Sequence, residues 1–447
     1  MTRSGLNLEA GVGSSLSSSP LVADTDGTAY SFVGSLSEPG GGYGAFLVSN
    51  FVANLVENRN GNQIRITDSG GGVFNYQDTL GRTVVSSSGF GTSGNTVAVS
   101  GLSGSYVLTW GSAAFSWSAG WNLIQGGTVG FCNNGGAPQG SNPVVTRIQL
   151  PNGKQYQFSY DPTYGLLSKI TYPTGGWISY TWGLNSQSTQ GFFADSQTNP
   201  NQCLWRWGVP AIVKRTVSYD GSSAALEQDF AYSTTWDTQT GTWSQKQTLV
   251  TTKDLVRGTS IVTSYLYSRS GSGELNQPSS GADTVDLAIP VEQTITYQDT
   301  TGSIVRTVNK AWVNAQQLQS EQITLETGQT SQTTYTYDPG SQLHEKDEYD
   351  YGQSTPARKT MITHQSFPVT PIFPNAASIL DRPCSVITYD SSGNRVAETD
   401  YIYDGGTAVC GTLGTSATTD VSNLPAGSHD ETNYAASSTA PREYLNK

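Results

Sequence analysis

Charge is scarce in this chain. Lys, Arg, Asp and Glu together make up 13% of its 447 residues, about half the ~25% of an ordinary soluble domain. Basic residues are the scarcer sign, with 23 Lys and Arg against 35 Asp and Glu and a net charge of −12. An acidic chain lacks the footprint for non-specific nucleic-acid binding or for anionic membrane surfaces. No run of about 18 apolar residues exists, so no membrane-spanning helix is encoded. The opening Met1-Thr2-Arg3-Ser4-Gly5-Leu6-Asn7 lacks the apolar core of a signal peptide. Histidine is limited to His344, His364 and His429, none near a cysteine at zinc-ligand spacing. Neither a Gly-x-Ser-x-Gly elbow nor a Cys-x-x-Cys pair occurs. These absences point away from an enzyme, and no cofactor or metal is expected.

What is abundant is turn and strand chemistry. Glycine occurs 50 times and tyrosine 23 times, and Ser, Thr and Gln are plentiful. β-Branched and aromatic residues with many glycines favour strands joined by tight turns. Periodicity agrees. Tyr156, Phe158 and Tyr160 alternate with Gln155, Gln157 and Ser159, the period-two pattern of a strand with one buried face. Ile178, Tyr180 and Trp182 repeat it. So do the pairs Tyr335 and Tyr337, Tyr349 and Tyr351, and Tyr401 and Tyr403. Pro151-Asn152-Gly153 and Pro173-Thr174-Gly175 precede the first two segments, 22 residues apart. Length alone suggests about three domains, but a fixed offset with matching character reads as tandem hairpins.

A second turn recurs. Tyr160-Asp161 leads to Gly165, and Tyr389-Asp390 leads to Gly393. Tyr337-Asp338 and Tyr403-Asp404 carry the same dipeptide, while Tyr76 and Tyr297 have one residue inserted before Asp78 and Asp299. In each, the aspartate accepts backbone N–H bonds to start the turn and glycine takes the left-handed position.

These residues resemble the signature of the YD-repeat, or Rhs, family, over residues from about 60 to 430. The resemblance implies an all-β fold of tandem hairpins forming a long curled sheet, an open shell or a partial barrel or solenoid. It implies a bacterial protein of the secreted or cell-surface class, whose shell encloses or presents another part of its own polypeptide. Complete family members end in an Asp-Pro-x-Gly self-cleavage motif. Here the Asp-Pro pairs are Asp161-Pro162 and Asp338-Pro339, so self-cleavage and an attached toxin are not carried over, and the chain reads as a fragment of a longer product. The expected organisation is an N-terminal β segment over 1–60, clear repeats over 61–185, degenerate repeats over 186–290, repeats again over 291–410, and a Ser/Asn-rich tail over 411–447.

Other features are weighed against plain structural roles. Gly89–Gly94 fits Gly-x-Gly-x-x-Gly, but Asn95–Val99 reads as a strand where a dinucleotide site needs a helix, so a turn is expected. Asp24-Thr25-Asp26-Gly27 lacks an acid at the twelfth position of a calcium loop and reads as an Asx turn. His344, Glu345, Asp347, Glu348 and Asp350 are expected to line a solvated hairpin edge, with His344, Glu348 and Asp350 on one face. Trp205 and Trp207 are the candidates for stacking a sugar ring, which makes a surface glycan-binding or adhesion module the alternative function. Cys132, Cys203, Cys384 and Cys410 allow three pairings. Cys384 with Cys410 is the local one, Cys132 with Cys203 would close a longer loop, and free thiols in a core are the alternative.

Overall fold

The computed structural model describes residues 21–24, 27–32, 53–125, 137–193, 203–236, 242–270, 284–285, 288–368, 379–414, 424–425, 427 and 429–435. Among these it places 26 strands in one antiparallel sheet and a single short helix, Glu431–Tyr434. The chain is all-β, as its alternation requires. No helix among the described residues is long and apolar enough to cross a membrane.

Nearly every strand pairs with the next in sequence, so the sheet is a meander that lengthens hairpin by hairpin. Among the described residues the pairing does not close into a barrel: the first strand, Leu21–Ala23, pairs only with Ala29–Phe32, and the last, Arg395–Asp400, only with Pro383–Asp390. The outer side of the last strand is exposed throughout and carries Arg395, Glu398 and Asp400, charges that discourage a stray strand from adding there.

The spacing of 22 residues does not persist. Strands in the stretch with the weakest repeat signal are the longest: Trp177–Phe193 and Cys203–Ser218 have 17 and 16 residues. Their hairpin does two jobs. Its inner half sits between Leu167–Thr171 and Leu226–Trp236. Its outer half takes Thr284–Val285 on one side and Asn122–Gln125 on the other. These two come from the chain before and after the hairpin and fasten a side arm to the wall.

The arm bends where the register breaks between Asn185 and Thr189, opposite Gly208. The Gly208 N–H donates to the Ala119 carbonyl at 2.7 Å. A Cβ on Gly208 would lie 2.8 Å from the Asn185 oxygen and 2.8 Å from Leu184 Cγ. Gly208→Ala is therefore expected to cost about 1–3 kcal/mol through overpacking, measured by denaturant unfolding, with faster amide exchange confined to residues 203–209.

At the far end the chain folds back over the sheet. Phe367, Ile379 and Tyr403, exposed by 5%, 1% and 6%, form a small core with Tyr401 and Leu413. A disulfide joins Cys384 to Cys410 with Cα atoms 5.1 Å apart. Cys203 is also buried and disulfide-bonded; Cys132 lies outside the described residues. Ile379 also reaches the N-terminal turn. A Cβ built on Gly27 would stand 3.1 Å from Ile379 Cγ1 and 3.2 Å from Arg59 Cβ. The curled sheet thus brings its first and last parts together without strand pairing.

Candidate functional site

The most regular feature of the molecule is a line of β-bulges. Eight alternate strands each carry one extra residue relative to the preceding strand: Thr146, Ser168, Val213, Ser244, Gln293, Gln319, His344 and Cys384. A bulge disrupts the ladder and deepens the local twist. Repeated on every second strand from Gln139–Gln149 to Pro383–Asp390, it adds twist along one end of this run of the sheet; further bulges at Val84, Val305 and Val396 lie at the other end.

An aromatic faces almost every bulge. The Cα partner of the residue just before the extra one is Trp110, Tyr160, Trp182, Trp236, Tyr267, Trp312, Tyr337 and, at the eighth bulge, His364. Several also reach back to the previous bulge. Tyr160 Oη donates to the Val145 carbonyl at 2.6 Å, Trp182 Nε1 to Leu167 at 2.9 Å and Tyr232 Oη to Ile212 at 2.6 Å. Trp312 Nε1 donates to Glu292 at 2.7 Å, Tyr337 Oη to Leu318 at 2.9 Å and Tyr403 Oη to Pro383 at 2.8 Å. In all six the acceptor is the carbonyl immediately before the inserted residue. An unpaired buried carbonyl costs about 1–3 kcal/mol; the aromatic tip satisfies it while its ring covers the bend. Burial pushes the Tyr160, Tyr232 and Tyr337 phenols up, so they remain donors at neutral pH. On Leu226–Trp236 the two jobs fall on different residues, Tyr232 bonding back and Trp236 facing the next bulge. There Arg206 lies over Trp236 at 4.3 Å and Lys246 over Trp243 at 5.3 Å.

Two tyrosine–aspartate turns, at Asp161 and Asp338, lead into this line, and those at Asp78, Asp299 and Asp390 turn the opposite end of the sheet. Asp161 Oδ1 accepts from the Thr163 and Tyr164 amides, both at 2.9 Å, and Gly165 has φ +67°. Asp390 Oδ1 accepts from Ser392 and Asn394 at 2.9 and 2.8 Å, with Gly393 at φ +79°. Asp78 and Asp299 build the same turn despite the inserted residue, whose place beside the bulge is taken by Gln77 and Gln298. Asp338 accepts from the Gln342 amide at 3.0 Å, but Ser341 occupies the left-handed position at φ +66° where the others have glycine. Tyr403-Asp404 departs from the pattern. Tyr403 makes the back-bond, but Asp404 is buried, has φ +48° and leads into the terminal cap rather than a return strand. Tyr389 lies at the opposite end of the sheet and pairs with Arg395.

The Asn394 side chain and backbone amides hold the Asp390 carboxyl below its usual 3.8, and Thr301 does the same for Asp299. A carboxyl depressed by folding contributes stability above its ordinary value, lost as pH falls through the lowered one. Protection of the Gly302 and Gly393 amides is therefore expected to hold from neutral pH to about pH 4 and fall in stronger acid. Asp390→Ala should remove protection at Gly393 at every pH, leaving Gly302 as the internal control.

The acidic run from 344 to 350 is absorbed by cross-strand pairs. Lys359 lies 3.0 Å from Glu345 and 3.8 Å from Asp347, while Lys346 and Arg358 each approach Glu348 at 2.8 Å. His344 is the bulge residue, its Nδ1 3.1 Å from the Ile362 carbonyl. That insertion interrupts the alternation on which the facing of His344 with Glu348 was expected. A similar network joins Lys214 and Lys253 to Glu227 and Asp229 at 2.6–3.2 Å. Gly89–Gly94 is a turn between strands Thr83–Ser88 and Asn95–Val99. Asp24 opens a turn toward Thr28, and Thr25 and Asp26 lie outside the described residues.

Trp205 and Trp207 sit in the side arm. Trp205 is 7% exposed, edge-on to Trp121 at 6.2 Å. Trp207 stacks on Trp121 at 4.6 Å. Trp205 therefore packs the joint and offers no open face to a sugar ring. Sequence reasoning aligned Trp182 with Tyr160 but missed Tyr232 and Trp312 as their counterparts. The signal was an aromatic near a strand end, 15 to 20 residues beyond the carbonyl it meets.

No protein-family model matches this chain, and no curated protein matches it. Among solved structures, the crystal structure of TcdB2-TccC3-Cdc42 aligns over 86% of this chain and 20% of its own, at 9% identity and a TM-score of 0.21. That of TcdB2-TccC3-TEV aligns over 84% and 22%, at 9% identity and a TM-score of 0.13. A Photorhabdus luminescens Tc holotoxin pore aligns over 79% and 21%, at 10% identity and a TM-score of 0.12. The chain therefore spans about a fifth of the length of those it aligns with, and likeness at these scores carries no functional meaning for it.

Proposed function

We propose that this chain is a structural wall: a segment of a bacterial Rhs-like β-shell that encloses or presents another part of its own polypeptide and performs no chemistry itself. The observation that carries this reading is the bulge line. A bend repeated on every second strand and sealed by an aromatic each time makes a sheet that curves continuously. Its side chains are spent on holding that curve. The charged clusters pair across strands and Trp205 packs a joint, which leaves the glycan-binding alternative without its leading residue. Bonded cysteines support a secreted or cell-surface location, because disulfides persist in oxidising compartments.

Electron microscopy of the chain together with the polypeptide it is made with, paired with limited proteolysis, tests the proposal. A hollow particle whose contents resist protease until the wall is denatured is the expected result. A flat or solid particle, or contents digested at once, would overturn it.

A further inference from the structure

We propose that residues 58–62 near the beginning of the chain and residues 429–434 near its end form a proton-governed clasp, which holds the curled sheet shut in acid and releases it as the medium turns alkaline. The inference rests on the joint itself and stands whether or not the sheet is a shell wall.

The joint spans 369 positions, with His429 Nε2 2.7 Å from the Asn60 carbonyl. The Asp430 amide donates to the Gly61 carbonyl at 3.0 Å, and Asn62 and His429 form an antiparallel bridge. Tyr434 is 2% exposed, and a Cβ on Gly61 would stand 2.7 Å from Tyr434 Cβ. The contact is close, dry and built from both ends of the sheet.

Under it lies Glu57, 5% exposed, bonded through Oε2 to Gln63, which is itself 6% exposed. Its other oxygen, Oε1, is buried without a hydrogen-bond partner. Asp430 faces it as the N-cap of Glu431–Tyr434, accepting from the Thr432 and Asn433 amides at 3.0 Å each. Closing the joint therefore sets the buried Glu57 carboxyl beside a second carboxyl. Burial, opposed by Gln63 and reinforced by Asp430, pushes the Glu57 carboxyl up from 4.5 to about 7; His429 opposes the rise.

The other charged or titratable groups around the joint are Arg59 on the same turn, Arg65, Asp24, Tyr30 and Glu431. Arg65 is engaged with Gln63 at 2.6 Å, Tyr30 with Asp24 at 3.4 Å, and Glu431 with His429 at 2.9 Å. The sign follows. A carboxyl whose value is raised in the closed state favours closure fully below its ordinary value, and that support is lost as pH climbs through the raised one. The clasp is firm below about pH 4.5, weakens up to about pH 7 and then levels off, a change on the order of 100-fold in its closing equilibrium.

Amide exchange of the whole chain, corrected for the intrinsic pH dependence of exchange, reads this directly in peptides covering 58–62 and 429–434. Between pH 5 and pH 8 protection there should fall on the order of 100-fold, while peptides covering 155–171 stay level. Glu57→Gln, which cannot ionise, should keep high protection at both pH values. Asp430→Asn retains a capping side chain and should move the midpoint to lower pH. Level protection in the unaltered chain would overturn the clasp, as would a Glu57→Gln chain that keeps the original pH dependence. Should Glu57→Gln fail to fold, an unmoved midpoint in Asp430→Asn overturns it equally.

Discussion

Replacing Trp312 by alanine should lower stability by about 2–4 kcal/mol, and the loss should be local. Three contributions add. The indole is half-buried, and its removal forfeits roughly half the ~1.5–3 kcal/mol of a fully buried large side chain. The Nε1–H bond to the Glu292 carbonyl at 2.7 Å disappears, worth about 1 kcal/mol plus the cost of leaving the bulge carbonyl unpaired. The Cα partner of Leu318, facing the next bulge at Gln319, loses its side chain as well. Because the sheet around Trp312 grows by adjacent strands, stability there should behave as a sum over neighbouring hairpins. Exchange should therefore quicken over residues 289–325 while the strands around Trp182 keep their protection. Tyr337→Phe isolates the polar part: it keeps the ring, drops the bond to Leu318 and should cost about 1 kcal/mol. Equal losses from the two substitutions would mean that the ring contributes nothing beyond its hydrogen bond.

Loss of the Cys384–Cys410 bond is the second large effect. The bridge closes a 26-residue separation, which in the chain-entropy account contributes about 3.5 kcal/mol. It is also well placed. Cys384 is the inserted residue of the last bulge and is 0% exposed, so the bond ties the terminal cap to the bend in the wall. Reduction, or Cys384→Ala with Cys410→Ala, is expected to free residues 401–414 from the Phe367, Ile379 and Tyr403 core. The strands from 289 to 349 should persist. Tryptic cleavage appearing first at Arg382 would report the release; simultaneous unfolding of cap and sheet would show the two to be one cooperative unit.

Much of the architecture could be read from residues taken a few at a time. Alternation around Tyr156 and Tyr180 announces strands because a pleated chain turns successive side chains to opposite faces. Asp161 to Gly165 and Asp390 to Gly393 announce their turns because a carboxylate accepting nearby amides and a residue tolerant of positive φ are local requirements. Ser341 shows the limit of that rule: a unit lacking its glycine still makes the turn, held by the register of the strands on either side. The bulge line was hidden for a different reason. Its acceptors are backbone carbonyls, which have no sequence identity, and the inserted residue can be Thr, Ser, Val, Gln, His or Cys.

By itself, then, the sequence determined that this protein is all-β, that it is made of consecutive hairpins and where many of them turn. Those properties depend on contacts a few residues long. Only the tertiary structure decided that alternate strands bend together, that Trp205 belongs to a joint, and that Glu57 meets Asp430 and His429 across the curl. Each of these depends on which distant strand lies alongside, and on the burial that follows once it does.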